Sequence, residues 1–175
     1  MSSPPFWISP STSLHDVWRY SWGSACYMPK DYYNNYFRDV LAHPVFKILW
    51  KSRCTMKIKM FSWLLFLDRL NTRNMLKRRH YNIGDNFDCI VCGQCVEETV
   101  DHMIFTCPFS QTCWAKLHIV WGPFHNRLDL LQAIAHSWPN QFFFETFLTS
   151  AWSIWKERNN KHFRGVAPSE ESWLI

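Results

Sequence analysis

Cys89, Cys92, His102 and Cys107 are spaced C-x2-C-x9-H-x4-C. Two residues between cysteines let one tight turn aim both sulfurs at a single point. Gly93, next in line, relieves the crowding of such a turn. His102 and Cys107 bring a second donor pair from a second turn. Three thiolates and one neutral imidazole are the donor set of a closed, tetrahedral structural Zn2+ site, with a net charge near −1. Cys95 complicates the choice, because Cys92 and Cys95 also form a C-x2-C. The sequence therefore leaves open whether Cys95 replaces Cys89 as a ligand. Cys26, Cys54 and Cys113 read as small buried hydrophobes. No histidine other than His102 has a partner spacing.

This constellation argues against catalysis. A catalytic zinc keeps one coordination position open, and four protein donors close it. Neither G-x-S-x-G nor H-E-x-x-H occurs, and the carboxylates are scattered. The expectation is a binding module without enzymatic activity or a small-molecule substrate. Seven cysteines, an odd number, fit metal binding and packing in a reducing compartment better than a disulfide framework. The N-terminus lacks a basic segment followed by a long apolar run. No uncharged run approaches the ~20 residues of a membrane span. An intracellular chain, nuclear or cytoplasmic and without a membrane partner, is expected.

The charge is unevenly placed. Ten basic residues lie between Lys47 and Arg79, opposed only by Asp68, so that stretch is +9 in a chain of net charge +5. Such a region can neutralise phosphates and bind RNA or DNA with strong salt dependence and little sequence preference. Arg73, Lys77, Arg78 and Arg79 are the candidate contacts. The competing reading is a structural or protein-interaction module, or a remnant that binds no nucleic acid. No particular protein partner is indicated.

These residues must be positioned by a mainly α fold: a small helical domain with a short zinc-stapled loop or hairpin. Helices are predicted over 31–41 and 44–50, with Pro44 in a first turn. A third, over 57–70, is apolar nearly all round and reads as buried. Asn71 is the expected N-cap of a helix over 72–79. The segment 89–107 lacks a helical period and reads as a compact loop. Further helices are predicted from Pro108 toward Trp121, over 129–138 and over 141–162, with Phe144, Leu148, Ala151 and Trp155 at helical spacing in the last.

Taken together, several short motifs resemble a known family. They are Trp50-Lys51, the run Lys57 to Leu64, the run Asp68 to Thr72, the C-x2-C of Cys89 and Cys92, Glu97 to Thr99, His102, Cys107-Pro108 and Trp114. As a set they resemble the plant zinc-binding region of reverse transcriptases, found downstream of the polymerase in non-LTR retrotransposons. Residues 151–159 and Phe163 resemble a helix that often follows it. The resemblance implies zinc on Cys89, Cys92, His102 and Cys107, and an origin in a retroelement polyprotein. It implies no activity, since nothing resembles the polymerase catalytic segment. The domain organisation read on this basis is a leader over 1–43, the zinc-binding domain over 44–124, a helical extension over 125–164 and a tail over 165–175.

Overall fold

The computed structural model describes residues 19–38, 43–137 and 142–173. Residues 1–18 of the expected leader, including His15, lie outside these, as do residues 39–41 of the first expected helix, Trp138 and Gln141. The chain divides into two compact units, residues 1–42 and 43–175. It is mainly helical, and no strand forms among the described residues. No described helix is long and apolar enough to cross a membrane.

In the first unit, Met28 precedes α1 (Pro29–Phe37), which buries none of its residues. Its order comes from ring contacts: Tyr20 stacks on Trp22 with centroids 4.8 Å apart, and Tyr32 meets Tyr36 at 4.8 Å. Cys26 is exposed, where a buried residue was expected.

The second unit begins at α2 (Pro44–Lys51), capped by His43, whose Nδ1 accepts from the Val45 amide. Val45 and Leu49, four residues apart, are fully buried and fix the inner face. The buried helix α3 (Met56–Phe66) is shorter than predicted. Asp68 adopts a left-handed φ of 55°, and the Arg69 amide donates back to the Leu64 carbonyl. The cap of α4 (Arg73–Arg78) is Thr72 instead of Asn71, because the Thr72 hydroxyl is the group that accepts from the Met75 amide.

Beyond residues 89–107 come α5 (Pro108–Lys116), α6 (Arg127–Ser137) and α7 (Phe143–Arg164). Phe144, Leu148 and Ala151 of α7 are buried as their spacing predicts, and Trp155 is partly buried. The main core cluster is built from α2, α3, α5 and α7, joined by Met103, Ile104 and Phe105 and by Leu131 and Trp173. Phe61 meets Trp152 at 5.1 Å, and Trp114 of α5 stacks on Phe147 of α7 at 5.5 Å and 9°. The Trp114 indole N–H donates to the Ile104 carbonyl at 2.6 Å, so this ring is buried without an orphaned donor. Phe124 and Leu128, on either side of position 124/125, both pack against this core.

Residues 165–173 are not a free tail. Gly165, at φ 67°, closes α7 with its amide on the Lys161 carbonyl. The chain then turns back into α8 (Glu170–Trp173). Trp173 is buried and donates to the Ser150 carbonyl, and the Ser169 amide donates to Glu157. A single tryptophan at the end of so short a segment offers no periodicity from which this docking could be read.

Candidate metal centre

The first donor pair sits on a knuckle. The Cys89 amide donates to the Val96 carbonyl at 2.8 Å, and the Gly93 amide returns to the Cys89 carbonyl at 3.1 Å. Gly93 has φ 67°, a conformation that costs a residue with a Cβ about 1–2 kcal/mol. The expected hairpin is reduced to one bridge, Asp88 with Glu97.

The second pair is held by a π-helical turn over His102–Thr106, where a loop was expected. The spacing explains it. In an α-helix, residues five apart point about 140° away from each other. A wider turn with an i→i+5 bond brings them toward the same side. That bond is present: the Cys107 amide donates to the His102 carbonyl at 2.6 Å.

The four ligand atoms of Cys89, Cys92, His102 and Cys107 all lie within 4.8 Å of one another. Cys89 Sγ and Cys107 Sγ are 4.0 Å apart, and Cys92 Sγ is 3.5 Å from His102 Nε2. With Zn–S bonds of ~2.3 Å, the edge of a tetrahedron of thiolates is about 3.8 Å. The observed separations fit an ion of that size. His102 Nδ1 lies 3.3 Å from the Thr106 hydroxyl. A ring N–H donated there leaves the Nε2 lone pair for a metal and fixes the ring plane. Cys95 is exposed and stands outside the group of four.

The electrostatics favour a cation in this position. The hydrogen bond between the Cys89 and Cys107 sulfurs raises the Cys89 thiol and lowers that of Cys107; burial raises Cys89 further. Burial also raises the Cys92 thiol and lowers the His102 imidazole, which keeps it neutral. A divalent ion held by these four residues would take the place of the thiol proton and compensate thiolates that burial otherwise disfavours.

Behind the tetrad lies a charge that the sequence reading did not single out. Glu98 is fully buried. Its Oε1 accepts from Arg158 Nη2 at 2.7 Å, Arg158 Nε at 3.2 Å and the Arg73 amide at 3.0 Å. Its Oε2 accepts from the Ile90 amide within the knuckle. One carboxylate therefore ties together the metal loop, the start of α4 and the middle of α7. Both residues stand in the motifs that carry the family resemblance, which was the available signal.

The four expected nucleic-acid contacts all lie on α4 or at its end, and each is held by an acceptor of the chain itself. Arg73 donates to Asn86 and to the Asp88 carbonyl. Lys77 pairs with Glu97 at 3.3 Å and lies over the Phe87 ring. Arg78 pairs with Asp68, and Arg79 donates to Asn71.

No curated protein and no solved structure matches the chain. A match is found with the family described as zinc-binding in reverse transcriptase, over residues 27–114. That segment is half of the chain and contains all four clustered donors. The chain therefore belongs to the family of zinc-binding domains in reverse transcriptase.

Proposed function

We propose that the chain is a structural zinc module, with Zn2+ held by Cys89, Cys92, His102 and Cys107, from a plant non-LTR retrotransposon-derived protein. The observation that carries this reading is the group of three sulfurs and one imidazole nitrogen that lie within 4.8 Å of one another, with Cys89, His102 and Cys107 buried and Cys92 half-buried. Soft thiolates with imidazole in a tetrahedron select zinc over magnesium or calcium. Four protein donors leave no position for a reacting water, so the module is non-catalytic. Metal quantification tests the reading: purified protein should contain one zinc per chain. Cys89→Ser, Cys92→Ser, His102→Ala and Cys107→Ser should each lose it, and Cys95→Ser should retain it. Loss of zinc from Cys95→Ser with retention in Cys89→Ser would shift the ligand set by one C-x2-C.

The module binds RNA and DNA through charge in this reading, supported by the +9 stretch between Lys47 and Arg79. A specific observation favours the structural or protein-interaction alternative: the α4 cations are engaged within the chain. Titration with RNA and DNA at two salt concentrations separates the two. Affinity that falls steeply with salt supports nucleic-acid binding, and no binding at low salt supports the alternative.

A further inference from the structure

Another part of the basic stretch differs from α4 in one respect. On α2, Lys47, Trp50 and Lys51 stand at i, i+3 and i+4 on the face opposite buried Val45 and Leu49. Arg53 follows directly. Among the described residues, the side chains of Lys47, Lys51 and Arg53 have no hydrogen-bond or ion-pair partner, in contrast to all four α4 cations. Two carboxylates contact this segment, and both meet other groups. Glu145 accepts from the Arg53 backbone amide, and Asp129 pairs with His43 at the far end of α2. Lys59 donates to the Trp50 carbonyl and closes the helix end, while Lys57 lies over the Trp152 ring at 5.1 Å. From Lys47 to Lys59 the chain has five cations and no acid.

Trp50 stands between these cations. It is 43% exposed, and no described ring stacks on it. An exposed indole flanked by unpaired cations is complementary to a strand whose bases are unstacked and whose phosphates lie to either side. A duplex keeps its bases stacked on each other and would use the cations alone.

We infer that the face formed by Lys47, Trp50, Lys51 and Arg53 binds a single-stranded nucleic acid, with a base on the Trp50 ring and phosphates on the three cations. This inference rests on the nucleic-acid reading given above and assigns its contact surface.

The test uses the full zinc-loaded chain with two labelled probes, an oligouridylate of about 16 nucleotides and an RNA duplex of similar length. Lys47→Gln/Lys51→Gln/Arg53→Gln should lower the salt slope on oligouridylate by about 2, since each single-strand phosphate contact contributes ~0.7. Arg73→Gln/Lys77→Gln/Arg78→Gln/Arg79→Gln should lower it less. Trp50→Ala should weaken oligouridylate binding about tenfold and leave duplex binding unchanged. Trp50→Tyr, which keeps a stackable ring, should retain both. Unchanged zinc content and melting temperature separate a lost contact from a lost fold. A triple variant that binds like the parent chain overturns the assignment, as does a loss confined to the α4 variant. Equal losses on both probes in Trp50→Ala overturn the single-strand preference. If the parent chain binds neither probe at low salt, nucleic-acid binding itself fails, which is a different result.

Discussion

Glu98 is fully buried, and its charge is balanced by Arg158, itself only 3% exposed. Removing one partner of such a pair strands the other without compensation, which costs about 3–5 kcal/mol. Glu98→Ala should lose that much stability in urea denaturation and also weaken zinc retention, because the Ile90 amide in the knuckle loses its acceptor. The double variant Glu98→Ala/Arg158→Met should recover part of the stability, since no buried charge then remains. The cysteines offer a second prediction. Burial pushes the Cys113 thiol up to about 12, while Cys26 and Cys95 are exposed. Iodoacetamide followed by mass spectrometry should label Cys26 and Cys95 first. Cys89, Cys92 and Cys107 should react only after chelation, and Cys113 only after unfolding. Rapid labelling of Cys89 in zinc-loaded protein would contradict the ligand set. Spacing narrowed the donors to Cys92, His102, Cys107 and one of Cys89 or Cys95, because a C-x2-C turn and an H-x4-C turn each restrict where their side chains point; the choice of Cys89 over Cys95 needed the structure. The partnership of Glu98 with Arg158 was not legible, because the residues are 60 apart and no local period links them.

At the scale of elements, the π-helical turn is the part whose geometry the site depends on. Adding one residue between His102 and Cys107 sets the two donors six apart, about 120° out of register on a helical turn, and zinc should be lost even though all four ligands remain. Thr106→Val is the gentler variant. It removes the hydroxyl beside His102 Nδ1 and should lower zinc affinity about 10–100-fold, read by competition with a chelating dye. Helices with strong apolar content, such as α3 and α7, could be read within a few residues. The π turn could not, since its hydrogen bonds follow from where the metal donors must meet and not from any side-chain period. The face of α4 illustrates another limit: sequence counts its cations but does not show that Asn86, Glu97, Asp68 and Asn71 already engage them.

For the whole molecule, metal and fold should be coupled but not identical. Structural zinc contributes on the order of 10–16 kcal/mol in small peptides, comparable with or above the ~5–15 kcal/mol stability of a domain. The ring-rich contact of α3, α5 and α7 forms its own large cluster, joined by Met103, Ile104 and Phe105, and shares only Phe109 with the smaller buried group of Cys89, Val91 and Cys107. Chelation should therefore raise hydrogen exchange over residues 89–107 while the amides of α3 and α7 stay protected. Exchange over 89–107 that is unaffected by a strong chelator would show that the site is not occupied by a structural ion. The placement of residues 165–173 was hidden for the same reason as the Glu98 contact. The docking of Trp173 against Ser150 is a single long-range event with no repeat to announce it.

The distance in sequence between Glu98 and its counter-charge also bears on how the protein is made. All four metal donors have been synthesised once Cys107 has been added, yet Arg158 lies 60 residues after Glu98. At ~5–20 residues per second the guanidinium arrives about 3–12 s after the carboxylate it must neutralise. During that interval the knuckle can collect its ion but cannot bury Glu98 without leaving a bare charge in an apolar setting. The nascent chain should accordingly hold zinc loosely until α7 is complete, and then close around it in one step.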